Sequence, residues 1–393
     1  MSVRPTPRGR YGWIAVGVLL VALGGCATAP KKEEPVRLVW PPPPLTARVE
    51  FVRSIVSDED LGRDTTFSQN LLAFLAGDKP APNRIVAPMG LAVSDDGQRL
   101  YVSDFARLAV FVFDFGQKKF SKIGEDHKLA RPVGLALDAQ EQLYVVEQEK
   151  RGISVFDRGG KQVRFITHPS VERPTGIALD RRREKIYLAD TGRSKSEEHT
   201  IRIFNRAGEL VGTLGRGRGE EPGQFLFPTY LAVDDTGNLY VTDTLNSRVQ
   251  VFDANGKYVK TLGQRGSAWG MFDKPKGVAL DTFGNVYVAD SGWSNVQIFN
   301  PKGQVLLFFG GRGPIPGMLK NPTAIAIDRS NRIYVADYLN HRVEVYQLVN
   351  TRAEDSFSNP VAETKGGEAE RTTETAGNLR QQSEKSGKGD GPK

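Results

Sequence analysis

The 393-residue chain has one cysteine, Cys26, and only four histidines. A single cysteine excludes an intramolecular disulfide, so any folded part must be stabilised by its core. The chain contains no Gly-x-Ser-x-Gly nucleophile elbow, and none of its glycine-rich stretches continues into the Lys-Ser or Lys-Thr pair of a P-loop. These absences exclude two common catalytic architectures.

The sequence also lacks an apolar run long enough to span a membrane near its start. Residues 13–23 form an apolar run of 11 residues, whereas a spanning helix needs about 20. Arg4, Arg8 and Arg10 precede this run, and small residues follow it. A basic head, a short apolar core and small residues are typical of a secretory signal peptide, which we predict for residues 1–25.

The segment Leu23-Gly24-Gly25-Cys26 resembles the lipobox of bacterial lipoproteins, in which the cysteine is acylated and becomes the new N-terminus. The resemblance implies lipidation at Cys26, palmitate included, and the acyl chains would anchor the protein stably. Ala27 resembles the outer-membrane address of Gram-negative lipoproteins. We therefore expect a lipid-anchored protein of the bacterial cell envelope, on the outer membrane and facing the periplasm or the cell surface.

Composition divides the rest of the chain. Residues 26–46 include four consecutive prolines, at 41–44, and are predicted to be a semi-rigid spacer after the lipidated cysteine. Residues 351–393 have few large apolar side chains, so we expect a disordered polar tail. The formal charge of +7 falls to about +4 when the three arginines of the signal peptide are removed. This mild charge, together with export, argues against nucleic acid as the partner.

Residues 47–350 contain one unit six times. Each unit begins with a proline and a short apolar strand, and the prolines lie 42 to 54 residues apart. A second strand carries a tyrosine and ends in an acidic residue, and Asp/Asn-Gly turns connect the strands. This period suits a four-stranded antiparallel propeller blade, so we predict an all-β, six-bladed β-propeller. The prolines are Pro88, Pro132, Pro174, Pro228, Pro275 and Pro322.

The combined pattern Pro-x-Gly-Ile/Val-Ala, Leu-Tyr-Val-Ala-Asp and Asn-x-Arg-Val-x-Val-Phe resembles the NHL repeat. The resemblance covers roughly residues 84–350 and is clearest in the last three units. It implies an NHL-type six-bladed propeller. Three departures from the repeat pattern argue against a site with strict sixfold symmetry. Glu147 replaces the usual aspartate, the third unit has a longer loop at 193–200, and the first unit has Phe105-Ala-Arg107 in place of Asn-x-Arg.

The last unit lacks a fourth strand, which would leave an exposed sheet edge. Residues 48–55 alternate apolar and polar side chains, so we predict that they pair with residues 342–348 and close the ring. Residues 67–76 carry apolar side chains at helical spacing and predict a short amphipathic helix. This helix either packs on the propeller or contacts the membrane.

In a propeller, the loops that enter the first strand and those that leave the second strand share one face, which we call the loop face. Exposed aromatic and arginine side chains are typical interface anchors, although some of these residues can simply be packed. The acidic residues that end the second strands recur in every unit, which predicts a structural role in capping turns and pairing with arginines such as Arg248 or Arg342. The candidate partner-binding residues are Phe105, Arg216, Arg218, Tyr230, Arg265, Trp293, Arg312 and Tyr338.

Two functions remain open. The first is a binding or scaffold lipoprotein that presents the loop face to a protein or a glycan of the envelope, with no catalytic residue and no cofactor. The alternative is a metal-dependent lyase or hydrolase with calcium or zinc in the central channel. No two of the four histidines have the spacing of metal ligands, and their loop positions favour simple exposure. They are His127, His168, His199 and His341.

Overall fold

The computed structural model describes residues 37–62, 83–124, 128–193 and 196–352. These residues form six antiparallel sheets whose innermost strands contact one another in a closed cycle, so the fold is a six-bladed β-propeller, as the repeat predicts. Within the described ranges, no helix is long and apolar enough to cross a membrane. The predicted signal peptide, Cys26, the helix at 67–76 and most of the polar tail lie outside these ranges.

Blades 1–5 each consist of four consecutive strands, ordered from the inner to the outer strand. Blade 1 contains Pro88–Val93, Arg99–Asp104, Ala109–Asp114 and Lys119–Ile123. Blade 2 contains Pro132–Leu137, Leu143–Glu147, Gly152–Phe156 and Gln162–Thr167. Blade 3 contains Pro174–Asp180, Lys185–Asp190, Thr200–Asn205 and Leu210–Leu214. Blade 4 contains Pro228–Val233, Leu239–Asp243, Arg248–Phe252 and Tyr258–Leu262. Blade 5 contains Pro275–Leu280, Val286–Asp290, Asn295–Phe299 and Val305–Gly310.

Blade 6 joins the two ends of the folded region. Its inner strands are Pro322–Ile327, Arg332–Asp337 and Arg342–Leu348. The closing strand, Val49–Ile55, pairs antiparallel with the last of these, with Val49 opposite Leu348 and Ile55 opposite Val343. The predicted ring closure is therefore confirmed.

A fifth strand at the rim of blade 6 was not predicted from the sequence. Val39–Trp40 pairs with the closing strand, and the Trp40 ring lies 5.7 Å from the Tyr346 ring and 6.1 Å from the Phe309 ring. The helical elements of the described residues are two short 3₁₀ turns, Asp58–Leu61 and Thr244–Asn246. The end of the predicted spacer thus lies against the propeller.

The recurring residues of the unit have clear packing roles. The glycine at the third position of the inner strand faces the backbone of the next blade; a Cβ built on Gly176 would lie 2.2 Å from the Thr229 carbonyl oxygen. The tyrosine of the second strand is buried in every blade, and in blades 4–6 its hydroxyl donates to the aspartate of the first turn. Tyr287 donates to Asp281 across 3.0 Å in this way. The repeat therefore encodes close contacts between inner strands and a fixed turn at the face opposite the loop face.

Candidate functional site

The six acidic residues that end the second strands are fully buried on the loop-face side of the blades. Asp290 accepts hydrogen bonds from the backbone N–H groups of Asp273, Lys274, Gly292 and Trp293, at 2.8 to 3.2 Å. Asp104 accepts four backbone N–H groups in the same manner. Each carboxylate thus ties the loop before its blade to the loop after the second strand, which is the structural role that recurrence predicts.

The arginines predicted to pair with these carboxylates behave in two ways. Arg248 donates from Nε to Asp243 at 2.9 Å, as expected. Arg342 instead lies 2.6 Å from Glu344, a buried residue of its own strand. Its guanidinium also donates to the carbonyl oxygens of Pro314 and Ile315. The difference arises because blade 6 has a glutamate where blades 4 and 5 have glutamine, and the carboxylate attracts the cation.

Burial also raises the pKa of several carboxyl groups in this network. Desolvation raises the pKa of Asp337 to about 6 and that of Glu344 to about 7, even though Asn340, Ser54 and Arg342 favour the charged forms. Burial raises the pKa of Asp290 as well, against four backbone N–H groups that lower it. These carboxyl groups are buried by the loops that they hold, so their shifts reflect a structural network.

The loops that enter blades 4, 5 and 6 share one conformation. In each, an arginine forms an isolated parallel bridge with an apolar residue seven positions later; the pairs are Arg218–Phe225, Arg265–Phe272 and Arg312–Leu319. A buried side chain of the third strand holds the tip of each loop. Gln297 accepts from the Gly270 N–H at 3.0 Å and donates to the Met271 carbonyl at 2.8 Å. The loop tips are therefore held in position in the absence of a partner.

The candidate arginines are exposed side chains of these loops. Arg265 donates to the Leu245 carbonyl oxygen at 2.6 Å, and Arg312 donates to the Gly292 carbonyl oxygen at 2.9 Å. Arg216 donates to the Pro222 carbonyl oxygen within its own loop. Arg218 contributes its backbone N–H to the carbonyl oxygen of Glu197. Arg265 and Arg312 thus each connect their own loop to a loop of the preceding blade, while their side chains remain exposed.

The candidate aromatics lie at different depths. Trp293 is 43% exposed, and its indole N–H donates to the Gly266 carbonyl oxygen at 3.0 Å. Phe105 and Tyr338 are half-buried, and the Arg131 guanidinium lies 5.2 Å from the Phe105 ring centroid. The hydrogen bond fixes the orientation of the indole, so Trp293 presents a rigid apolar surface to solvent.

Tyr230 has a different position from the other candidates. It occupies the third position of the inner strand of blade 4, where blades 1, 2, 3 and 5 have glycine, and its hydroxyl donates to the Met89 carbonyl oxygen of blade 1 at 2.6 Å. Because blades 1 and 4 face each other across the ring, this single side chain spans the central channel. Burial raises the pKa of the phenol well above its usual range. The Tyr230 side chain therefore lies across the channel at this level.

Sequence reasoning missed several exposed apolar side chains of the loop face. They occupy the tips of the loops entering blades 5 and 6 and the loops after the second strands of blades 4 and 6, and each is between 41% and 54% exposed. Comparison of equivalent loop positions in the repeats could have identified them, since only these blades carry large apolar residues there. Together with Trp293 they form what we call the apolar set: Leu245, Trp269, Trp293, Ile315 and Leu339.

The structure does not bring the histidines together as ligands. His199 is buried, and its Nδ1 accepts from the Phe227 N–H at 3.0 Å; burial lowers its pKa. His341 contacts the Val86 carbonyl oxygen, and His127 lies outside the described residues. Among the described residues, no three His, Cys, Asp or Glu side chains cluster as metal ligands do. The described residues therefore show no calcium or zinc site built from three such side chains.

Comparisons with known proteins agree with this fold. The NHL repeat model matches residues 225–252 and 319–346, and the model of the SMP-30/Gluconolactonase/LRE-like region matches residues 70–191. The chain is 32% identical over 127 residues to NHL repeat-containing protein 3 of Mus musculus; this match covers 29% of the chain and 36% of that protein. The chain thus spans only about a third of this curated relative.

Two solved structures resemble the propeller. A gluconolactonase from Xanthomonas campestris gives a TM-score of 0.53 at 17% identity, over 76% of this chain and 98% of that one. An auxiliary nutrient binding protein from Bacteroides ovatus gives a TM-score of 0.51 at 17% identity, over 67% of this chain and 70% of that one. At these identities the likeness shows the fold alone.

Proposed function

For this six-bladed β-propeller, which carries NHL repeats, we propose the function of a lipid-anchored envelope lipoprotein that binds a protein or glycan partner through its loop face. The anchor is Cys26, and the support for it is the signal-peptide pattern with Leu-Gly-Gly-Cys at its end. Lipidation places the propeller at a bacterial membrane, with the outer membrane favoured by Ala27. The protein is a binding platform and has no catalytic residue under this proposal.

The observation that carries the proposal is the apolar set on the loop face of blades 4–6. Exposed tryptophan and large aliphatic residues next to arginines have the composition of an interface centre. Arg265 and Arg312 lie within the same loops as Trp269 and Ile315 and connect them to neighbouring loops. Because hydrogen bonds already hold these loops in place, ordering them on binding costs little free energy.

A second candidate function is a hydrolase, and the match to the SMP-30/Gluconolactonase/LRE-like region at residues 70–191 favours it. The described residues do not fit a metal site of three or more His, Cys, Asp or Glu ligands, so none of them is assigned a catalytic role. Metal analysis of the purified protein and a lactone-hydrolysis assay separate the two functions. Stoichiometric calcium or zinc with lactone turnover would favour the hydrolase.

Affinity capture tests the platform function. Full-length tagged lipoprotein is captured from mildly crosslinked membranes, beside a Trp293→Ala/Tyr338→Ala variant whose fold is verified by circular dichroism. We expect the wild type to retain a partner that the variant loses. Truncation of a rigid aromatic anchor costs about 2 kcal/mol of binding free energy, or roughly 30-fold in Kd. Titration with the purified partner would measure this change.

The matched control is Val259→Ala, which truncates a 51% exposed apolar residue on the outer strand of blade 4. This control should capture the partner as the wild type does. Equal capture by the wild type and the Trp293→Ala/Tyr338→Ala variant, or capture lost equally from the control, would contradict the proposed face.

A further inference from the structure

The loop-face end of the central channel is lined by a ring of residues from all six blades. In every blade, the residue after the acidic end of the second strand donates its N–H to the carbonyl oxygen of the residue before the inner-strand proline. These twelve residues, which we call the mouth ring, encircle the channel because the prolines begin the innermost strands. The donor–acceptor pairs are Phe105–Ala87, Gln148–Arg131, Thr191–Arg173, Thr244–Phe227, Ser291–Lys274 and Tyr338–Asn321.

The charged residues of the mouth ring are all cations. Arg131, Arg173 and Lys274 occupy the same position before the proline in blades 2, 3 and 5, and all three are exposed. Arg131 pairs with Glu149 at 3.0 Å. In the described part of the chain, no carboxylate lies within 4 Å of the side-chain nitrogens of Arg173 or Lys274. Arg173 instead lies 5.4 Å from the Phe227 ring centroid. Arg173 and Lys274 thus form no ion pair with a described carboxylate.

Lys276 adds a further positive charge just inside the mouth ring. It follows the proline of blade 5, where blades 3 and 6 have threonines whose hydroxyls donate to the proline carbonyl of the next blade. The longer lysine side chain is half-buried, and its Nζ donates at 3.2 Å to the neutral Asn321 amide oxygen. Burial and the nearby charge of Lys274 lower its pKa. A cation held here without a carboxylate is costly unless an anion reaches it.

Two carboxylate residues precede cations of this ring. Glu172 precedes Arg173 and accepts from the Arg193 N–H at 2.9 Å. Asp273 precedes Lys274, and its side chain lies beside Gly292, where an added Cβ would meet it. Below the ring, the Tyr230 side chain lies across the channel, and its hydroxyl donates to the Met89 carbonyl oxygen. We call the channel opening within the mouth ring, above Tyr230, the recess; the charged residues of the ring around it are cations.

We propose that this recess binds the carboxylate group of an organic acid, with Lys276, Lys274 and Arg173 supplying the positive charge. This deepens the proposed function, on which it rests for the identity of the partner: an acidic sugar or an acidic side chain of the partner carries the group that enters the recess. A carboxylate presents oxygen acceptors to ammonium and guanidinium donors, and a site partly shielded from water strengthens these charge-assisted hydrogen bonds.

Titration of the purified full-length protein with glucuronate, with glucose as an uncharged sugar and with inorganic phosphate tests this proposal. Isothermal titration calorimetry should detect binding of glucuronate and none of glucose. Lys276→Met should weaken glucuronate binding at least tenfold, and Arg173→Gln should weaken it as well. The control Lys257→Met removes the same charge from an exposed residue of the opposite face and should leave the affinity within twofold.

Equal loss in the Lys276→Met and Lys257→Met variants would show an effect of net charge and would overturn the site. Absence of glucuronate binding to the wild type, or binding of phosphate alone, would overturn the carboxylate assignment. If Lys276→Met fails to fold, Arg173→Gln decides the question by the same criterion. This assay contains no partner, so its failure is distinguishable from failure of the capture experiment.

Discussion

Replacement of Ile55 by aspartate is expected to lower the free energy of unfolding by about 3 kcal/mol or more, because it places an unpaired carboxylate in the core. Ile55 is fully buried in the closing strand, opposite Val343, and packs in the apolar cluster shared by blades 6 and 1. The closing strand is what joins the two ends of the ring. Its loss would expose the edge of the third strand of blade 6, and chemical denaturation measures the cost.

Val52→Asp is the matched control within the same strand. Val52 is 49% exposed and lies at the irregularity between Phe51 and Arg53 where the strand register shifts. Its substitution should change the unfolding free energy by about 0.5 kcal/mol or less. A similar loss for both variants, or no loss for Ile55→Asp, would show that the closing strand does not hold the ring as described.

Replacement of Asp290 by alanine is expected to cost about 3 kcal/mol or more as well. Four backbone N–H groups lose their acceptor. Each buried donor left without a partner costs about 1–3 kcal/mol, and water that hydrogen-bonds to some of these donors near the loop face lowers the total. Two of these groups belong to Gly292 and Trp293. The variant should therefore lose partner capture together with stability, which thermal unfolding and the capture assay would both report.

Asp290→Asn retains one side-chain oxygen and should lose less stability than Asp290→Ala. Asp235→Ala, at a side chain that is 93% exposed on the opposite face, should be close to neutral. If Asp290→Ala unfolds at the same denaturant concentration as the wild type, the carboxylate is not the connection between loops that its geometry indicates.

Much of the fold could be predicted because the unit repeats. The proline, the tyrosine and the acidic residue that ends the second strand recur at constant positions, since equivalent residues make the same packing contacts in each blade. Closure by residues 48–55 followed from the missing fourth strand and the period-two pattern. The strand Val39–Trp40 could not be predicted, because two residues show no period and the prolines at 41–44 suggested only an extended spacer.

The positions of the candidate residues on the proposed binding face were less predictable. Tyr230 was assigned to the loop face, but inner-strand packing leaves no space beside the next blade at the third position, so its side chain turns into the channel. The exchange of glycine for tyrosine in one repeat was the available signal. Leu245 and Lys276 were missed for a related reason: their exposure and surroundings depend on contacts between blades, which a single unit does not encode.

Photo-crosslinking by residue position tests the central claim most directly. The full-length protein carries p-benzoylphenylalanine in place of Leu339 on the loop face, or in place of Asn255 in the exposed turn at the opposite face of blade 4. Illumination in membranes should give a specific adduct with the partner from position 339 and none from position 255. An adduct from position 255 with none from position 339 would contradict binding through the loop face.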